Sequence, residues 1–107
     1  MGINMKNLTG DEREALLITL LRALQREEMS EGELLRTLRK DILAMNQDEY
    51  AALVNVSRRT LSDIERDAGN PSLPVLKRVF RPLGLTIGLL PRSEGVLRKM
   101  VGAEAGE

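Results

Sequence analysis

The chain reads as an all-α bundle closed by one short C-terminal β-strand. Three observations predict this. The hydrophobic share is 42%, yet the only aromatic residues are Tyr50 and Phe80, so the core must be built of Leu, Ile, Val, Met and Ala, a mix that favours helix. Five polar residues that make good helix caps each precede an apolar run at helical spacing. After Gly84 the pattern changes to a short, partly β-branched run. At 107 residues this is one domain's worth of chain.

Thr9 with Glu12 forms the first capping box, in which a hydroxyl takes an orphan amide and a carboxylate reaches back. Leu16, Leu17, Leu20, Leu21 and Leu24 then recur at helical spacing, predicting a helix over about 10–28. Ile18 and Ala23 widen its apolar face beyond one stripe, so it is expected to pack on two surfaces. Ser30 with Glu33 opens a second helix, about 31–43, with Leu34, Leu35, Leu38, Ile42 and Met45 on one face. Asn46 with Glu49 opens a short third helix, Gln47 to Val54, with Tyr50, Ala51 and Val54 inward. Asn55 stops it, because Asn tolerates the left-handed conformation.

Ser57 caps a fourth helix, Arg58 to about Arg66, with Leu61 and Ile64 inward. Residues 67–71 are rich in turn formers. Ser72 caps a fifth helix, where Pro74 is harmless in the first turn. Leu73, Leu76, Val79, Phe80 and Leu83 give its inner face, and Pro82 with Gly84 ends it. Leu85–Leu90 is read as a lone strand, whose unpaired edges invite a second chain. Leu85, Ile87 and Leu89 fall on one of its faces and are assigned to dimerisation. The chain thus divides into an N-terminal helical extension (1–29), a main helical domain (30–84), a dimerisation strand (85–91) and a frayed, flexible tail (92–107).

Composition excludes several functions. Cys and His are both absent, which removes disulfide frameworks, zinc fingers and His-assisted nucleophiles. No phosphate loop or metal cluster is evident, so no enzyme, catalytic residue, metal or cofactor is expected. The acidic groups Asp11, Glu12 and Glu14, and Glu27 with Glu28, lie at helix ends and read as solvated surface. Met5, Met29, Met45 and Met100 read as core or chain-end residues. No apolar run approaches the about 20 residues of a membrane span, and no signal-peptide pattern opens the chain; a cytoplasmic protein is expected. Net charge is zero overall, but −2 over residues 1–32 and +4 over 67–99, compatible with one basic face.

Residues 46–65 carry the functional signal. Two short helices flank a tight turn at Asn55–Ser57. Small Ala51 lets them approach, Val56 plugs the corner, and Leu61 with Ile64 anchors the second helix. This is the helix-turn-helix arrangement, whose second helix enters the DNA major groove. The pattern Asn46-Gln47, Glu49, Ala51, Val56-Ser57, Leu61, Ile64-Glu65, Asn70-Pro71-Ser72, Leu76 and Leu83-Gly84 resembles the Xre/Cro regulators, which include lambdoid phage repressors. The resemblance implies a lambda-repressor-like bundle over about 34–85. Leu85–Leu90 directly after the last helix resembles the terminal strand of HipB-like antitoxins, which pairs with its twofold mate. The helix over 10–28 is extra to that unit, and Ala44 stands where the family often has Gly.

The residues expected at DNA are Gln47, Ser57, Arg58, Arg59, Thr60, Ser62, Asp63, Arg66 and Asn70. Arg58 and Arg59 begin the recognition helix, and the Arg fork matches the two acceptors of guanine. Thr60 suits a thymine methyl; Ser62 and Asp63 either accept from bases or face solvent. The resemblance implies that Gln47 touches a phosphate and braces the recognition helix, and that Glu65 pairs with Lys40 in a structural role. Arg66 and Asn70 are placed along phosphates; Lys77 and Arg78 either join them or form a solvated face. The implied partners are a double-stranded DNA operator, a second copy in a homodimer, and a HipA-type kinase toxin if the chain is the antitoxin and autoregulator of a toxin–antitoxin operon. The alternatives are a free-standing phage or host repressor, and a helix-turn-helix used only to bind protein.

Overall fold

The computed structural model describes residues 8–104; Met5 and Glu107 lie outside them. The helices are α1 (Gly10–Gln25), α2 (Glu31–Thr37), α3 (Gln47–Val54), α4 (Arg58–Glu65), α5 (Leu73–Phe80) and α6 (Glu94–Glu104). α2 continues into a π-helical turn, Leu38–Ile42, and α5 into a 3-10 turn, Arg81–Leu83. All five expected caps form. Thr9, Ser30 and Asn46 each close a complete capping box, and the hydroxyls of Ser57 and Ser72 accept the backbone amides of Thr60 and Val75. Asn55 ends α3 at φ 58 and Gly84 ends the 3-10 turn at φ 77, both left-handed as their residue types allow.

The core sits where α2, α3, α4 and α5 converge. Leu35, Tyr50, Ala51, Val54, Leu61, Ile64, Val79 and Phe80 are buried together, with Val56 filling the corner of the turn. α4 packs on both α2 and α3. Gly32 permits the first of these contacts: a Cβ there would stand 2.5 Å from the Ile64 carbonyl oxygen. The Asp67 carboxylate then locks the junction, accepting from the Gly32 amide at 2.9 Å and the Ser30 hydroxyl at 2.6 Å.

Five expectations are corrected. Among the described residues no strand forms: Leu85–Leu90 is irregular, because a strand needs a partner ladder and a single chain supplies none. The burial of this segment still alternates, with Leu85 and Ile87 half-buried on the core and Thr86 and Gly88 exposed, but Leu89 is fully exposed and does not share their face. The frayed tail contains α6: Ser93 caps it by accepting the Val96 amide, and Val96, Leu97, Met100 and Val101 recur at helical spacing. α1 ends at Gln25, just before Glu27 turns left-handed at φ 60, and none of its residues is fully buried. On α5, Leu73 is exposed and Val75 packs inward instead.

Candidate nucleic-acid interface

The site begins inside the protein. Arg39 and Glu65 are both buried and form a bidentate pair: Nε donates to Oε2 at 2.5 Å and Nη2 to Oε1 at 2.9 Å. The remaining donor arm of Arg39 reaches the Met45 carbonyl at 2.8 Å. A buried ion pair is tolerable only when its donors and acceptors are met in this way. The partner of Glu65 is therefore Arg39 and not Lys40, which is exposed. The helical period explains the correction. Arg39 lies four residues after buried Leu35 and shares its face, and Lys40 is turned outward by one more step.

Glu65 also receives the Gln47 amide, Nε2 to Oε1 at 2.9 Å. The other end of Gln47 meets Arg58, whose Nε lies 3.5 Å from Oε1. The first turn of α3 is thereby tied to the last residue of α4 and to the first. Gln47 thus contacts residues at both ends of α4. Arg58 lies 3.5 Å from Asp48 as well, in an exposed pair, which is weak in water. A second clamp holds the turn from α5. Arg78 donates to the Val54 carbonyl at 2.8 Å and to the Asn55 carbonyl at 3.3 Å. Arg78 thus spends its guanidinium on the carbonyl end of α3, a use that neither expectation for it included.

The outer face of α4 carries the remaining site residues. Ser57 and Thr60 join hydroxyls at 2.9 Å, so both belong to the helix cap. Arg59 is exposed and has no hydrogen-bond or ion-pair partner among the described residues. Asp63 pairs with Arg66 at 2.5 Å on the surface, and Arg66 also reaches the Ser62 carbonyl. Asn70 lines a recess of about 160 Å3 together with Thr60 and Asp63. The structure therefore joins Gln47 to Arg58, Ser57 to Thr60, and Asp63 to Arg66. Among the described residues, Arg59 is the cation on this face of α4 without such a partner. The fold uses three further residues that sequence reasoning did not single out. Arg39 was detectable from its spacing to Leu35; nothing local marked Gly32 or Asp67, whose partners are 35 residues apart in sequence.

The helix-turn-helix family model HTH_3 matches residues 35–90, more than half of the chain. The chain belongs to this helix-turn-helix family. The match starts inside α2 and ends before α6, so the helix-turn-helix unit is flanked by two helices outside it. The chain is also similar to the immunity repressor protein of Bacillus phage phi105, with 34% identity over 71 residues, 66% of this chain and 49% of that protein. It spans about half the length of that relative. No solved structure gives a significant match. Among the described residues, no helix is long and apolar enough to cross a membrane.

Proposed function

We propose that this helix-turn-helix protein is a sequence-specific DNA-binding transcriptional repressor that acts as a homodimer on an inverted repeat. One observation carries the reading. α4 is locked at both ends by Gln47 and Glu65, and it presents Arg59 exposed and unpaired at its first turn. A rigid helix that offers a free guanidinium at its N-terminal end suits direct contact with a guanine edge. The twofold operator follows from economy of contact, since one short helix reads only a few base pairs. Half-site centres about 10 base pairs apart match one turn of DNA.

Two settings fit this function. The similarity to the immunity repressor of a Bacillus phage favours a free-standing immunity-type repressor. The alternating burial of residues 85–87 favours the antitoxin setting, with a HipA-type kinase toxin as partner, because that is the trace left by a segment ready to pair. We favour the free-standing repressor. An open reading frame for a kinase-like toxin beside the gene would reverse that choice.

The function is tested by gel-shift titration on the DNA upstream of the gene, at fixed salt. Arg59→Ala is expected to weaken binding by about 1–3 kcal/mol and to relax preference at one base position. Gln47→Ala is expected to weaken all operator variants alike, since it removes bracing and a phosphate contact rather than base readout. Unchanged affinity in Arg59→Ala would turn the reading toward a helix-turn-helix that binds protein alone.

A further inference from the structure

An apolar groove of about 510 Å3 opens on the bundle, walled by Leu21 and Leu24 of α1, Leu76 and Phe80 of α5, and Leu85 and Ile87 of the following segment. Its margin is acidic. Glu31 and Asp67 line it, and the adjoining recess, which shares Leu24 and Glu31, adds Glu27, Glu28 and Glu33. α6 has the complementary character. Val96, Met100 and Val101 are exposed large hydrophobics at helical spacing, flanked by Arg92, Arg98 and Lys99, and α6 makes only slight contact with any other helix of its own chain.

We infer that α6 of one copy docks in the groove of the other copy, so that the two chains exchange C-terminal helices. This rests on the homodimer reading above and deepens it. The path is set by elementary strand geometry. If Leu85–Leu90 pairs antiparallel with its twofold mate about its centre, Leu90 of one copy lies opposite Leu85 of the other. Leu85 is a wall of the groove. Only residues 91–93 separate Leu90 from the start of α6, and three residues reach at most about 10 Å. α6 therefore begins at the mouth of the partner's groove, with its chain already heading away from its own. An amphipathic helix laid in an apolar groove is a common recognition mode. The basic Arg92, Arg98 and Lys99, which outnumber Glu94 here, favour encounter with the acidic margin. Docking also covers the exposed apolar residues of α6, and the pairing before it covers Leu89, fully exposed in the single chain.

The absence of cysteine from the chain makes a disulfide test clean. One copy carries Thr86→Cys and an affinity tag, the other Met100→Cys. Both positions are exposed, so neither change disturbs the core, and circular dichroism checks this. The copies are mixed and oxidised gently, and a copy with Ala52→Cys, exposed on α3, replaces the tagged copy as the control. A tagged–untagged disulfide forming at least about fivefold faster than the control pair is the expected result. The double variant Thr86→Cys, Met100→Cys closing an internal disulfide at monomer mass would overturn the exchange in favour of docking within one chain. A dimer by sedimentation that gives no Thr86-to-Met100 position disulfide overturns the docking and leaves the dimer reading standing. A monomer by sedimentation overturns both.

Discussion

The stretch from α2 to α5, with the π-helical turn that follows α2, and the flanking pieces α1, 85–90 and α6 obey different rules. Every fully buried residue of the described chain lies in the first group, and there the buried side-chain polar atoms all have partners. In the second group the apolar residues are numerous but only partly covered: Ile18, Leu89, Leu90, Val96, Met100 and Val101 are exposed. The central unit has satisfied its buried polar groups and leaves Leu53 and Leu73 exposed, whereas the flanks leave more apolar surface uncovered. Burial is thus concentrated in one region, and the association proposed above falls to the other. Substitutions that separate stability from association break or sharpen this contrast.

The largest effect is expected at the buried ion pair. Glu65→Ala leaves the Arg39 guanidinium buried without its counterion, and removing one partner of such a pair costs about 3–5 kcal/mol. Urea unfolding measures it. A loss below about 1 kcal/mol would mean that water reaches Arg39 and that the centre is no better packed than the flanks. Glu65 also holds Gln47, so DNA binding should fall even under conditions where the variant stays folded.

Next is Tyr50, whose hydroxyl donates to the Val79 carbonyl at 2.5 Å and joins α3 to α5. Burial first, and the nearby Glu65 charge second, push its pKa up to about 12. The folded chain thus holds the phenolic proton at pH values where the unfolded chain releases it. The associated stability is fully present below the ordinary tyrosine pKa of about 10 and is lost as pH rises through about 12. Tyr50→Phe is expected to cost about 1–3 kcal/mol at neutral pH by stranding a buried carbonyl. It should also flatten the fall in stability between pH 10 and 12. A fall as steep as that of the unchanged chain would assign the alkaline loss to another group.

A smaller effect, opposite in sign, is expected at Ala44, which sits at φ 55 between the π-helical turn and the cap of α3. A Cβ in the left-handed region costs about 1–2 kcal/mol, and glycine gives back part of that gain through its greater unfolded freedom. Ala44→Gly should therefore raise stability by about 0.5–1 kcal/mol in the same urea titration. No change would mean that local hydrogen bonding already absorbs the strain.

The legibility of the sequence follows the same division. Caps are local, spanning three residues, and Thr9, Ser30, Asn46, Ser57 and Ser72 were all readable for that reason. The turn at Asn55 and the corner at Val56 were readable because helix-turn-helix spacing is compact. The partner of Glu65 was misplaced by one residue, since it depends on which way a helix face turns 26 residues earlier. Gly32 and Asp67 were invisible because their meaning arises only when α2 touches the end of α4. On the flanks, Leu85–Leu90 shows the periodicity of a strand but not its ladder, which one chain cannot form. The residues of α6 carried a helical period that glycine and alanine in the segment masked.

The smallest effect is expected on α6, and a matched pair of substitutions isolates it. Val54 and Val101 are the same residue type, 2% and 55% exposed respectively. Val54→Ser leaves a cavity and buries a hydroxyl, at a cost of about 2–4 kcal/mol. Val101→Ser exchanges one solvated group for another and should change the stability of the isolated chain by less than about 0.5 kcal/mol. The measurement is urea unfolding at concentrations low enough to hold the chain monomeric. At higher concentrations the order is expected to reverse in kind, because stability then includes association. There Val101→Ser lowers the unfolding midpoint in a concentration-dependent way, whereas the deficit of Val54→Ser is carried at every concentration. A concentration-independent loss in Val101→Ser would place α6 in the folding core of a single chain, and the contrast between centre and flank would then end at residue 90 rather than include the helix beyond it.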